Sequence, residues 1–174
     1  MARNVEIKAR LRDAAEVARV TGRALVLADH GPELIEQDDT FFACAEGRLK
    51  LRVFADGRGE LIAYQRPDAN GPRSSDYVIA PSDAPAVLRD ALTRSLGVSG
   101  RVVKRRTLFL VGRTRVHIDR VNGLGDFLEL EVVLRDDEPD AQGESEALRL
   151  LERLGIDAAA LIAGAYVDLL RAAG

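Results

Sequence analysis

The feature that most restricts how this chain can fold is an alternation of apolar and charged residues that recurs in several segments. In residues 4–11, NVEIKARL, every second side chain is apolar and the side chains between them are polar or charged. A period of two is typical of a β-strand, because successive side chains point to opposite faces of a sheet. The alternation recurs in four later segments, which are GRLKLRVF at 47–54, VVKRRTLFLV at 102–111, RTRVHIDRV at 113–121 and DFLELEVVL at 126–134. The sequence therefore predicts strands that each have one apolar and one charged face.

Turn and helix signals separate these strands. A Gly-rich turn at 55–60 predicts a hairpin. Further strands are predicted at 34–44, 61–67 and 76–80, and a loop is predicted at 68–75. Helices are predicted at 13–27 with Asp13 as N-cap, at 83–96 between a Ser82 cap and Gly97, at 144–154, and at 157–172. This order indicates an α+β protein with an antiparallel sheet rather than a doubly wound fold.

Composition excludes several classes of protein. The 174 residues are 47% hydrophobic and 30% charged, which is enough apolar material for one folded domain spanning 1–174. A net charge of −3 and 5% aromatic residues argue against a nucleic-acid or membrane partner. Cys44 is the single cysteine, so no internal disulfide forms, and the charged N-terminus lacks the apolar run of a signal peptide. We expect a cytoplasmic monomer or homodimer.

The charged faces of the strands differ from one another in sign. Glu129 and Glu131 make the last strand acidic, whereas cations dominate the segments around residues 50, 104 and 113. The simplest alternative is a β-sandwich whose charged faces only meet water. If the sheet instead closes into a barrel of about eight strands, one face of every strand lines the interior. A charged interior is costly unless each charge is paired or solvated, so this arrangement predicts water, metal and a polyanion inside.

The carboxylates and the lysines are the candidate ligand-binding groups. Glu6, Glu129 and Glu131 offer the hard oxygen ligands that Mg²⁺ or Mn²⁺ prefers. The chain has 22 arginines and only three lysines, and all of the lysines lie in alternating segments, at Lys8, Lys50 and Lys104. An ammonium is a compact charge with three rotatable donors and suits phosphate oxygens. The pattern favours a ligand that has several phosphates along one side and a metal at the other.

Several of these segments resemble the CYTH superfamily, the triphosphate tunnel metalloenzymes. NVEIK resembles the signature E-x-E-x-K, and DTFF followed by GRLKLR resembles the second block with its paired basic residues. VVKRR, RVHIDRVNGLGDFLELEV and the pair LGI and AYVDLL resemble the remaining blocks, so the similarity covers nearly the whole chain. The first and last strands are most similar to the branch that contains class IV adenylate cyclases and thiamine-triphosphatase-like proteins.

This resemblance implies a closed eight-stranded antiparallel tunnel with a charged interior and helices outside, including C-terminal helices at about 144–172. It implies divalent-metal ligands at Glu6, Glu129 and Glu131, and catalytic roles for these residues together with Lys8 and Asp119, the latter orienting a basic neighbour or assisting the metal. It implies triphosphate contacts from Lys8, Lys50, Arg52, Arg66, Lys104, Arg106, Arg113 and Arg115. The expected reaction is conversion of ATP to cyclic AMP and pyrophosphate, as in class IV adenylate cyclases. The alternative reaction is hydrolysis of tripolyphosphate, a nucleoside triphosphate or thiamine triphosphate.

One position departs from the family pattern. Asn4 stands where the signature has its first glutamate, which removes a negative charge and keeps open a third possibility, a non-catalytic module that binds polyphosphate or a nucleotide. Three other residues have simpler interpretations. His117 is expected to be a polar residue of the lumen or its rim rather than a metal ligand. Cys44 is expected to be a packing residue rather than a nucleophile, and Tyr166 part of the core face of the last helix.

Overall fold

A computed structural model describes residues 2–66 and 71–173. In this part of the chain eight strands form a closed barrel in the order β1-β5-β4-β3-β2-β6-β7-β8, and every neighbouring pair is antiparallel. The strands are β1 (Ala2–Leu11), β2 (His30–Phe42), β3 (Arg48–Phe54), β4 (Gly59–Gln65), β5 (Arg73–Ser82), β6 (Val98–Val111), β7 (Thr114–Val121) and β8 (Gly125–Val133). The predicted α+β class and closed antiparallel barrel are confirmed.

Four α-helices accompany the barrel in the described residues, namely α1 (Ala14–Leu27), α2 (Pro85–Leu96), α3 (Asp140–Leu154) and α4 (Tyr166–Ala173). The Asp13 side chain accepts a 2.8 Å hydrogen bond from the Glu16 amide, so the predicted N-cap of α1 is confirmed. The Ser82 cap is wrong, because α2 begins with Pro85 and Ser82 ends β5. None of the helices in the described part of the chain is long and apolar enough to cross a membrane.

The barrel is inverted relative to an ordinary small barrel, since its apolar faces point outward. Val5, Ile7 and Ala9 of β1 pack with apolar residues of β7 and β8 and are covered by α1 and α3. In this cluster Val20 of α1 and Leu154 of α3 have no exposed surface. The amphipathic helices therefore supply the outer half of the core. The charged faces are consequently directed inward.

An apolar plug closes one end of the barrel. Its wall is formed by inward-facing residues at the corresponding ends of four strands, namely Phe41, Val102, Val121 and Phe127. Ala165, Tyr166 and Val167, at the start of α4, fill the space between them. Gly100 of β6 permits this contact, because a Cβ there would lie 2.4 Å from Cγ2 of Val167. The C-terminal segment thus seals the base of the tunnel.

The predicted helix at 157–172 is confirmed only in its second half, since α4 begins at Tyr166 and residues 157–165 are not an α-helix. Ala158–Ala160 form one 3₁₀ turn, after which Leu161 forms a β-bridge with Ala9 and Ile162 donates to the Lys8 carbonyl at 2.8 Å. Alanine-rich sequence favours a helix, but this pairing with β1 overrides the propensity. The predicted loop at 68–75 is also partly wrong, since β5 begins at Arg73. Residues 67–70 of that region lie outside the described residues.

Candidate active site

A cavity of about 280 Å³ occupies the barrel interior. Among the described residues its lining carries seven cationic and four anionic side chains, an excess of three positive charges in a chain whose net charge is −3. The cations are Lys8, Lys50, Arg52, Arg66, Lys104, Arg106 and Arg115, and the anions are Glu6, Asp39, Glu129 and Glu131. Strand alternation therefore concentrates positive charge inside an acidic protein.

The inward-facing residues follow the same order on neighbouring strands. On β7 they run from Val121 in the plug through Asp119 and His117 to Arg115. At the end of the barrel opposite the plug, the inward-facing residues of several strands are apolar or aromatic. They form the mouth of the tunnel and are Ile35, Phe54, Tyr77 and Ile79. Ile79 is 43% exposed there. The charged zone thus lies between a sealed base and an apolar mouth.

Asp119 is the most deeply buried carboxylate of the site, with no exposed surface. Arg106 donates two hydrogen bonds to it, at 2.7 and 2.6 Å, and Lys104 lies 3.7 Å away. Burial alone would raise the pKa of Asp119, but the adjacent Arg106 and Lys104 charges outweigh it and hold the pKa below its ordinary value. Asp119 therefore stays ionised and fixes the Arg106 guanidinium.

Glu129 links the arginine to the first strand. Its Oε2 accepts a 2.8 Å hydrogen bond from Arg106, and its Oε1 lies 3.8 Å from the ammonium of Lys8. Burial opposes ionisation of Glu129, yet Lys8 and Arg106 hold its pKa well below the ordinary value. Lys8 is further oriented by a 3.2 Å hydrogen bond to the Gly164 carbonyl and by the ring of Tyr166, 4.0 Å from its nitrogen.

Burial and nearby cations make the lysines of the site unusually acidic. Burial, assisted by Arg106, lowers the pKa of Lys104 to about 7. Burial also lowers the pKa of Lys8 and of Lys50. A bound polyanion would favour the charged form of each lysine, so these groups are poised to respond to phosphate.

Asp39 anchors the basic pair of β3 and was not predicted from the sequence. It accepts hydrogen bonds from Lys50 at 3.0 Å and from two nitrogens of Arg52 at 2.8 Å each. The signal that could have found it is its i, i+2 spacing from Phe41 in a segment already predicted to be extended. Asp39 holds both cations toward the lumen and neutralises part of their charge.

Glu6 lies in ion pairs with two arginines. Arg66 donates a hydrogen bond to Glu6 Oε1, and Nε of Arg73 lies 3.6 Å from the same oxygen. Arg73 is 3% exposed and faces Glu6 across the β1–β5 pairing. The sequence instead predicts a loop at Arg73, because its neighbours Gly71, Pro72 and Ser74 are typical turn residues.

The group of potential metal ligands in the structure differs from the group predicted from the sequence. His117, Glu129 and Glu131 offer ligand atoms that all lie within 4.8 Å of one another, and no other such group occurs in residues 2–66 and 71–173. Glu6 is directed to its arginine partners instead. Burial, with Arg106 nearby, lowers the pKa of His117 to about 4, so the imidazole is neutral at neutral pH. Two carboxylates and a neutral imidazole fit a divalent cation.

Arg113 lies outside the tunnel, unlike the other predicted phosphate-binding residues. It donates to Glu138 and, at 2.9 and 2.8 Å, to Glu146 on α3. The physical reason is that β7 begins only at Thr114, so Arg113 belongs to the preceding turn and does not continue the alternation of Arg115, His117 and Asp119. Arg113 therefore fastens α3 to the barrel.

Two further residues shape the site. The hydroxyl of Tyr166 donates to Asp119 at 2.9 Å, so this side chain belongs to the tunnel wall as well as to the core. The side chain of Asn4 is buried, lines the cavity, and has an Oδ1 atom with no hydrogen-bond partner among the described residues. Alternation along residues 4–11 already places Asn4 on the inner face of β1, whereas the role of Tyr166 is not visible in the sequence pattern because Tyr166 reaches Asp119 through tertiary packing.

The CYTH domain family model matches residues 2–166. This chain belongs to the CYTH family. A curated relative, adenylate cyclase CyaB from Aeromonas hydrophila, is 28% identical over an alignment 177 residues long, which covers 95% of this chain and 87% of the relative. The family assignment confirms the resemblance seen in the strand motifs.

Several solved structures share the fold at low sequence identity. The PH1012 protein from Pyrococcus horikoshii superposes with a TM-score of 0.82 at 21% identity, covering 96% of this chain and 99% of its own. HpAC1 from Hippeastrum, an adenylyl cyclase by name that is reported to have a dominant triphosphatase activity, superposes with a TM-score of 0.70 at 15% identity, covering 97% and 95%. At these identities the similarity establishes the fold. The family match and the curated relative, rather than these structures, make this chain similar to triphosphate-processing enzymes.

Proposed function

We propose that this protein is a divalent-metal-dependent enzyme that cleaves a triphosphate held inside the barrel. The observation that carries the proposal is the excess of three positive charges along a tunnel sealed at its base, next to two carboxylates and a neutral imidazole. A polyanion neutralises the cationic lining, and a divalent cation held by tunnel carboxylates such as Glu129 and Glu131 completes the charge balance.

Each group of residues has a distinct part in this proposal. Lys8, Lys50 and Lys104 lie nearest the plug and bind the inner phosphate oxygens, while Arg52, Arg106 and Arg115 bind those closer to the mouth. The carboxylates of Asp39 and Asp119 pair with these lysine and arginine side chains and hold them in position. A divalent ion such as Mg²⁺ or Mn²⁺ would polarise the phosphate oxygens and stabilise charge that develops during cleavage.

The first candidate reaction is cyclisation of ATP, in which the ribose 3′-oxygen attacks the α-phosphorus and pyrophosphate leaves. The apolar mouth of Ile35, Phe54, Tyr77 and Ile79 supports it, because a nucleoside fits there while the terminal phosphate points to the base. The curated relative CyaB is named as an adenylate cyclase, in agreement with this choice.

The second candidate is hydrolysis at the terminal phosphorus, giving orthophosphate. The lysines near the plug favour it, since they concentrate charge on the innermost phosphate. HpAC1, reported to be dominantly a triphosphatase, shows that the fold is compatible with this reaction. Both reactions use the same binding residues.

Phosphorus NMR of the purified protein with ATP or tripolyphosphate, in Mg²⁺ or Mn²⁺, tests the proposal. Cyclic AMP with pyrophosphate identifies a cyclase, and orthophosphate identifies a hydrolase. Tight binding without turnover would instead establish the non-catalytic module that Asn4 keeps open. If neither ligand binds nor reacts, the proposed function is refuted.

A further inference from the structure

Among the side chains of His117, Glu129 and Glu131, the described residues leave one buried polar atom without a hydrogen-bond partner, Nδ1 of His117. His117 is 3% exposed. Oε1 of Glu131 is the acceptor facing this nitrogen, at 3.8 Å, which is too long for a hydrogen bond. A buried polar atom without a partner is costly, so its position calls for a ligand.

The neighbouring carboxylates are anchored so that they frame the same gap. Glu131 Oε2 lies 2.8 Å from Arg115, and Glu129 Oε2 accepts a 2.8 Å hydrogen bond from Arg106. Each arginine restrains the Oε2 atom of its glutamate. The Oε1 atom of Glu131 lies 3.8 Å from Nδ1 of His117, and the Oε1 atom of Glu129 lies 3.8 Å from the Lys8 ammonium. His117 pairs with Glu129 in the β7–β8 register, and Glu131 follows two residues later on the same face. The three side chains are thus held by two adjacent strands of a closed barrel.

We infer that Nδ1 of His117 is a direct ligand of the divalent cation and makes the site prefer a first-row transition ion such as Mn²⁺ over Mg²⁺. This inference rests on the metal dependence in the proposed function and adds a nitrogen donor to the carboxylates expected from the sequence. Mg²⁺ strongly favours oxygen ligands and retains its water, whereas transition ions accept imidazole readily. Arg106, Arg115 and Lys8 repel a lone cation, so the ion enters together with phosphate oxygens.

Pulsed electron paramagnetic resonance of bound Mn²⁺ tests the ligand directly and does not depend on turnover. The probe is Mn²⁺ with the bis-methylene analogue of tripolyphosphate, which contains no nitrogen and is not cleaved. We expect ¹⁴N modulation typical of a coordinated imidazole. Labelling the unmodified protein with ¹⁵N-histidine should replace that signal with a ¹⁵N signal, with no mutation that could disturb the fold.

The chain contains two histidines, which provides a matched control. His30 is exposed at the start of β2, so His30→Gln should keep the nitrogen signal while His117→Gln loses it. Loss of the ligand should weaken Mn²⁺ binding about tenfold or more and Mg²⁺ binding much less, measured by competition for the Mn²⁺ signal.

Bound Mn²⁺ without histidine modulation would overturn the inference and leave the proposed metal-dependent function standing. No bound Mn²⁺ with the analogue present would overturn both. Equal losses of Mn²⁺ and Mg²⁺ affinity in His117→Gln would refute the claimed preference between the ions.

Discussion

The hydroxyl of Tyr166 donates a 2.9 Å hydrogen bond to the carboxylate of Asp119, which joins the first residue of α4 to the most buried charge of the tunnel. The same ring lies 4.0 Å from the Lys8 ammonium and 5.0 Å from that of Lys104. One side chain of the plug thus contacts three charged residues of the candidate site.

Tyr166→Phe should destabilise the protein because it removes this hydrogen bond while keeping the ring. A buried hydrogen bond to a charged group contributes about 1.5–3 kcal/mol, and we expect a loss of that size in the free energy of unfolding. Urea denaturation monitored by circular dichroism measures it. Tyr166→Phe with wild-type stability would show that Asp119 is held adequately by Arg106 alone.

Glu129→Gln should abolish turnover, since it removes a candidate metal ligand and the charge that pairs with Lys8 and Arg106. We expect a decrease of roughly 100-fold or more in product formation, with the fold retained. Glu36→Gln is the matched control, because Glu36 is exposed on the outer face of β2 and pairs with Arg105. Full activity in Glu129→Gln would exclude it from the catalytic group.

Arg115→Gln and Arg113→Gln should differ although the two arginines are two positions apart. Arg115 lines the tunnel and contacts Glu131, so its loss should weaken tripolyphosphate binding by about tenfold. Arg113 pairs with α3 on the outside, so its replacement should leave that affinity unchanged. Isothermal titration calorimetry measures both, and equal effects would contradict the register of β7.

Tripolyphosphate binding should take up protons at pH 8 and few at pH 6. The pKa of Lys104 is about 7 without ligand, so its amine is largely neutral at pH 8 and charged at pH 6. A polyanion raises this pKa, and the neutral amine then gains a proton. Calorimetry in buffers of different ionisation enthalpy counts the protons.

Lys104→Met is the control for this proton uptake. The uptake at pH 8 should fall in the variant, because the amine that gains the proton is gone. If the unmodified protein takes up the same number of protons at pH 6 and at pH 8, Lys104 is not the group that gains the proton.

Phe54→Ala should separate nucleotide binding from phosphate binding. Phe54 lies in the apolar mouth and has no group that binds phosphate, so we expect ATP affinity to fall about three- to tenfold while tripolyphosphate affinity stays constant. Competition binding against a fluorescent nucleotide measures the two ligands. A parallel loss of both affinities would show that Phe54 supports the tunnel rather than the nucleoside.

The parts of this fold that depend on local pattern could be predicted from the sequence. Alternation with period two specified that Lys50, Lys104 and Glu129 share the inner side of their strands, because a strand fixes side-chain direction residue by residue. The alternation placed Arg113 on the wrong side of the barrel wall, because alternation does not define the residue at which a strand begins.

The remaining errors came from contacts between distant segments. Asp39 is identified by its partners Lys50 and Arg52, and Arg73 by Glu6, and both pairings depend on strand register. The segment around Leu161 is extended because β1 pairs with it, which its alanine-rich composition does not indicate. Local propensity cannot anticipate such tertiary pairing.

The plug formed by Phe127, Tyr166 and Val167 has a kinetic consequence for either proposed reaction. With one end closed in the described structure, substrate and products share the opposite opening. The phosphate end of the substrate enters first and lies nearest the closed base. The phosphate-containing product therefore leaves last. Product release should therefore be ordered, and the released pyrophosphate or orthophosphate should compete with fresh substrate.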